Sequence, residues 1–151
     1  MSDDDDTARR TRVLAGLMAF SSDQSDRGRA FARHMQMRPT DAAAIVEILR
    51  AEDQGRPLTP ARLGERIGMT SGATSLLLNR LEDAGHVERV RGHADRRTVT
   101  LHSTLAVHAE ATGFFEPERD RILAIVAGLG DEELAVVERF VLDLAGRTST
   151  A

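Results

Sequence analysis

The spacing of helix caps and stops between Thr59 and Thr104 constrains this chain more than any other feature. Thr59 precedes Pro60, and proline suits the first helical position because its missing N–H would have no partner there. A short helix over 61–67 therefore opens on these two residues and ends at Gly68. Thr70 then caps a second helix that runs to Ala84, with Gly85 as its stop. Two stretches of strand composition follow, at 86–91 and 98–103. In the second, Val99 and Leu101 share one face, while Thr98, Thr100 and His102 share the other. A short helix, a tight turn, a longer helix and a hairpin in direct succession make a winged helix-turn-helix.

The flanks read as helices. Val13, Leu17, Phe20, Gln24, Gly28, Phe31 and Met35 fall on one mostly apolar stripe, which predicts a long helix over about 8–36. The polar run at 21–26 is a place for it to bend or break. Pro39 disfavours helix at Arg38, and Thr40 is placed to cap a helix over 41–52 that buries Ala44, Ile45, Ile48 and Leu49. Thr104 caps a further helix to about 127, with a kink expected from Gly113 and Pro117 inside it. After a break at Gly128-Leu129-Gly130, a last helix over 132–145 lines up Leu134, Val137, Val141 and Leu144, with Phe140 beside them. The expected fold is mainly α with a small β-hairpin wing (α+β). Its parts are a disordered acidic tail (1–6), an N-terminal dimerisation helix (7–37), the winged helix (38–103) and C-terminal dimerisation helices (104–151). At 151 residues these form a single intertwined domain.

Charge is unevenly placed. All 20 basic residues are arginine, and the net charge is −4. Between Arg56 and His102, eight arginines stand against five acids, a net of +3, while the remainder of the chain carries −7. A basic segment on an acidic body is the footprint of contact with a polyanion. Without cysteine there are no disulfides, thiolate zinc sites or thiol redox chemistry. His86, His93, His102 and His108 lack metal-ligand spacing, so no metal and no cofactor are expected. No glycine-rich phosphate loop or nucleophile motif suggests an enzyme. With no apolar run of about 20 residues and no signal-peptide pattern, a cytoplasmic, nucleoid-associated protein with no membrane partner is expected.

At 100° per residue, the helix from Thr70 buries Ala73, Thr74, Leu77, Leu81 and Ala84. Its opposite side carries Ser71, Gly72, Ser75 and Asn79, flanked by Leu76 and Arg80. Small polar residues at a helix start let the backbone approach base edges in a major groove. Asn79 is suited to an adenine edge, and Leu76 to a thymine methyl. Thr59, Arg62 and Thr70 are candidate phosphate contacts. At the hairpin tip, Arg91, His93, Asp95, Arg96 and Arg97 are candidate wing contacts, since an arginine there can enter a narrow minor groove. Asp95 is repulsive beside DNA unless it fixes the turn by holding a neighbouring arginine or backbone N–H.

Three stretches carry a family resemblance. Leu63-Gly64-Glu65-Arg66-Ile67-Gly68-Met69, the run from Asn79-Arg80-Leu81-Glu82 through Gly85 to Arg89, and Asp95-Arg96-Arg97 resemble the winged helix of the multiple-antibiotic-resistance-regulator (MarR) family. The flanking helices match in number and order. The resemblance places the family's Asp-x-Arg wing pattern on Asp95 and Arg97, implying a minor-groove role for Arg97 and a phosphate contact for Arg96. It also implies a transcriptional repressor that binds a palindromic operator in double-stranded DNA as an obligate homodimer. Val13, Leu17, Leu134, Val137, Phe140, Val141 and Leu144 would then form the interface. A small aromatic effector would bind between the dimer helices and the winged helix, with Phe20, Phe31, His34, Arg38, Phe114 and Phe115 as candidate lining. Two positions depart from the pattern. Asn79 stands where the family often has aspartate, and β-strand residues Ser103-Thr104 replace a usual Leu-Thr, which is expected to weaken packing at the strand end. The competing reading is a winged helix used for protein contacts, whose exposed Ser71/Ser75/Asn79 face would not meet bases.

Overall fold

A computed structural model describes residues 3–92 and 98–148. The chain divides into two compact units, Met1–Ala111 and Thr112–Ala151. The first holds α1 (Asp3–His34), α2 (Pro39–Asp53), α3 (Pro60–Ile67), α4 (Ser71–Asp83), β1 (Val87–Arg91), β2 (Val99–Ser103) and the start of α5 (Leu105–Ala127). The second holds the rest of α5 and α6 (Asp131–Thr148). The mainly helical fold with one hairpin is thus as expected.

In α1 the local expectations give way. The helix begins at Asp3, so the acidic residues form its first turns rather than a disordered tail. Carboxylates at a helix N-terminus favour this through the helix dipole, and Asp6 also pairs with Arg10 one turn on, at 3.5 Å. Nor does the polar run break the helix. Ser25 donates its hydroxyl to the Ser21 carbonyl at 3.1 Å, and Asp26 pairs with Arg29, so these side chains are satisfied along the helix surface. The helix stops at His34 because Gln36 adopts a left-handed φ of 54°. The helix α2 starts earlier than expected: Arg38 is the N-cap, Pro39 takes the first turn, and Thr40 lies inside the helix without capping it.

The core of the first unit is built by Phe31, Ile45, Ile48, Leu63, Leu77, Leu78, Leu81 and Leu101, all essentially without solvent exposure. Each contributes about 1.5–3 kcal/mol by leaving water. The α4 face differs in detail from the helical-wheel expectation. Leu78 is buried and Ala84 is exposed, because α4 packs on both α3 and β1, widening its buried arc, while Ala84 sits beyond the helix as its C-cap.

The hairpin is antiparallel, with Val87 opposite Ser103 and Arg91 opposite Val99. A further backbone bond, from Gly92 N–H to the Thr98 carbonyl at 3.0 Å, continues the ladder past β1. The hairpin is also tied to the segments just before α3 and just after α4. Leu101 N–H donates to the Leu58 carbonyl at 2.8 Å, and Thr104 donates its hydroxyl to the Gly85 carbonyl at 2.9 Å. The strand end expected to pack weakly is instead held by Glu52 of α2. Its carboxylate accepts from the Ser103 hydroxyl at 2.6 Å and from the Ser103 N–H at 3.2 Å, with His102 Nδ1 at 3.0 Å. The small Ser103 side chain supplies a hydroxyl where a leucine would supply only contact area. Glu52→Ala is therefore expected to leave these donors unsatisfied and to cost about 2–3 kcal/mol in urea unfolding. A midpoint unchanged from wild type would show that this anchor contributes nothing.

Candidate nucleic-acid interface

Local chemistry builds α3 and α4 as read from the sequence. Thr59 Oγ1 accepts from the Arg62 N–H at 3.3 Å, and Thr70 Oγ1 accepts from the Ala73 N–H at 3.3 Å. Gly68 closes α3 in the left-handed conformation that glycine takes at least cost, with φ at 66°. The turn between the helices is tight: Met69 N–H bonds the Gly64 carbonyl at 2.9 Å, and the Thr74 hydroxyl bonds the Thr70 carbonyl at 2.9 Å. Both capping hydroxyls use a lone pair inward, which leaves their protons to donate outward.

Ser71, Gly72, Ser75, Leu76 and Asn79 all lie exposed along one side of α4. Leu76 is 66% exposed, a large apolar side chain with nothing covering it. No charged residue occurs on the helix before Arg80, so backbone and short side chains present the first two turns. Arg62, on α3, is exposed and pairs with Glu65 at 3.2 Å. Arg91, at the end of β1, is exposed as well. The wing candidates His93, Asp95, Arg96 and Arg97 lie outside the described residues.

Arg80, partly exposed on the flank of this face, already has a partner within the protein. Its guanidinium turns back to α2, donating to Asp41 at 2.6 and 3.3 Å. Asp41 is among the few buried charged residues, and a buried carboxylate is costly without a partner, which draws the arginine inward. The hydrogen bond to Asp41 raises the Arg80 pKa above its ordinary value, against the opposing effect of desolvation. The pair braces the end of α4 against the start of α2. Sequence reasoning missed Asp41 because its partner is 39 positions away. It equally missed Arg89, whose guanidinium pairs with Glu82 at 2.7 Å and donates to Asn79 Oδ1 at 3.1 Å.

The residues selected as effector lining have separate fates. Phe31 is wholly buried in the core of the first unit. Phe20 is 43% exposed, Arg38 is exposed, and His34 meets Glu110 at 3.1 Å. Phe114 and Phe115 stack edge to face on each other, their centroids 5.0 Å apart. A cavity of about 410 Å3 opens elsewhere, among α1, α2 and α3, lined by Gly28, Arg29, Ala43, Val46, Arg50 and Ile67. None of the six selected residues lines it.

A capped helix pair, a docked hairpin and an uncharged outer face on the second helix define a winged-helix transcriptional regulator. Residues 35–98 match the family model described as the MarR family. The chain is 30% identical over 112 residues to the uncharacterized HTH-type transcriptional regulator YcgE of Bacillus subtilis (strain 168), covering 74% of this chain and 70% of that protein. Among solved structures, it is similar to Streptococcus pneumoniae FabT in complex with DNA, with a TM-score of 0.63 at 22% identity over 93% of this chain and 97% of that one. It is also similar to a MarR family protein from Bacillus stearothermophilus, with a TM-score of 0.62 at 20% identity over 95% and 98%. The chain belongs to the MarR family of transcriptional regulators, which are not enzymes. Among the described residues no helix is long and apolar enough to cross a membrane.

Proposed function

We propose that this protein is a homodimeric, sequence-specific DNA-binding repressor that acts on a palindromic operator and is released by a small-molecule effector. The observation that carries this reading is the exposed, uncharged Ser71/Gly72/Ser75/Leu76/Asn79 face of α4. Such a face can lie against base edges in the major groove, with the Thr59 and Thr70 hydroxyls and Arg62 directed to phosphates. FabT, similar in fold, was solved with DNA. Two copies related by a two-fold axis would present two such helices, so the operator would be a palindrome.

Support for the homodimer is the apolar row on α6. Leu134, Val137, Phe140, Val141 and Leu144 are each at least 38% exposed, and Val13 on α1 is half exposed. Soluble monomers rarely leave so much contiguous apolar surface wet. The effector part of the reading draws support from the α1–α2–α3 cavity, whose volume of about 410 Å3 is of a size that holds a small molecule.

A salt titration tests the reading. Operator affinity is expected to fall steeply with salt, because each phosphate contact releases counterions. Arg96→Ala should lower the slope by about one unit and weaken all sequences alike, whereas Arg97→Ala should weaken operators with A·T-rich flanks most. Asp95→Ala should also weaken binding although it removes a negative charge. Tighter binding by that variant would mean that the wing acts only as charge, and salt-independent binding would remove the DNA reading itself.

A further inference from the structure

The pairing of Arg89 with Asn79 has a consequence for which base α4 would select. Arg89 stands on β1, and Glu82 stands one turn after Asn79 on α4. Glu82 takes one guanidinium nitrogen at 2.7 Å, which lays the group along the helix so that the other nitrogen reaches Asn79 Oδ1 at 3.1 Å. A guanidinium only donates, so the orientation of the amide follows: its oxygen faces Arg89 and its NH2 faces away. Among the described residues, the bond from Arg89 is the one hydrogen bond of the Asn79 side chain. Asn79 is exposed on the same side as Ser75 and Leu76.

We propose that Arg89 fixes Asn79 as a hydrogen-bond donor toward DNA, so that this position selects guanine rather than adenine. This rests on the reading that the α4 face meets bases. Asparagine normally reads adenine with both halves of its amide, accepting from the N6 amino group and donating to N7. Here Oδ1 is already engaged by a cation. An adenine amino group brought to the same oxygen would place its partly positive hydrogens beside that guanidinium. Guanine presents O6 and N7, two acceptors, which attract both the outward NH2 and the positive charge behind it. The two effects have the same sign. The Glu82–Arg89 pair thereby converts a residue of either polarity into a reader of one.

Selection from a randomised operator library, followed by affinity measurements on single-base variants, tests this. Asn79→Ala should flatten preference at one position of each half-site. There the wild type is expected to bind guanine about tenfold more tightly than adenine, and 7-deazaguanine should lose several-fold. Arg89→Met should bring the guanine-to-adenine ratio close to one. A merely structural arginine would weaken all operators together and leave that ratio unchanged. Asn79→Asp preserves an acceptor for Arg89 but replaces the outward donor with a second acceptor, so preference should move to cytosine, whose N4 amino group donates. This variant leaves the packing of the helix intact and keeps the test valid if Arg89→Met folds poorly. Adenine selected by the wild type at the Asn79-dependent position, or a ratio indifferent to Arg89, would overturn the proposal. If Asn79→Ala changes no position while Ser75→Arg does, the face reads DNA and this inference alone fails. If neither changes any position, the base-reading function fails and takes the inference with it.

Discussion

Gly64→Ala is expected to destabilise the protein by about 1–3 kcal/mol, although alanine is the better helix former. Gly64 lies inside α3, where helix propensity alone would make the change stabilising by about 1 kcal/mol. A Cβ built there would stand 2.8 Å from Thr74 Oγ1 and 3.2 Å from the Met69 carbonyl oxygen. The threonine cannot yield easily, since it is 2% exposed and its hydroxyl is bonded to the Thr70 carbonyl. The clash would push α3 and α4 apart at their closest approach. Gly64→Val should go further and abolish specific DNA binding. The double variant Gly64→Ala with Thr74→Ala removes the nearest atom and should recover part of the loss, a coupling that a double-mutant cycle measures. If Gly64→Ala raises the thermal midpoint, the close contact between the two helices is not a constraint.

Replacing Val137 and Val141 together with glutamate is expected to lower operator affinity by about a hundredfold or more. Under the proposed dimer, each operator half holds one winged helix, and the second binding event profits from the high effective concentration created by the first. Losing that link removes about 10²–10⁴ in affinity without touching a single DNA contact. Both valines are exposed within the apolar row of α6, so the charges should not disturb the chain's own core. Sedimentation should show about twice the chain mass for the wild type at micromolar concentration, and one chain mass for the variant. A monomeric variant that still binds the palindrome as tightly as wild type would separate DNA recognition from this face.

The helix-turn-helix was legible because its signals are local. Thr59 and Thr70 each bond an N–H three residues on, Pro60 needs no partner, and Gly68 and Gly85 take left-handed backbone at helix ends. Each choice is settled within one turn, so neighbouring residues suffice to predict it. The exposed side of α4 was legible for a similar reason, as helical period alone separates Ser71, Ser75 and Asn79 from Thr74, Leu77 and Leu81.

Short-range chemistry along the chain thus settles the order of elements, the caps, the uncharged outer face and the membership that these patterns signal. Tertiary structure decided the rest, wherever a side chain's partner comes from another element. Arg80 is held by Asp41, 39 positions away, a partner that no local pattern signals. The hydrogen bond that Asn79 Oδ1 accepts comes from Arg89, which stands on the hairpin rather than on α4. Ser103 looked like a weak strand end until Glu52, 51 positions away, was seen to anchor it. The steric need for Gly64 has no local cause, since only the approach of Thr74 makes its missing Cβ necessary. Periodicity and capping are one-chain, one-turn physics. The identity of a distant hydrogen-bond partner depends on how helices and hairpin dock, and that is decided only when the core closes.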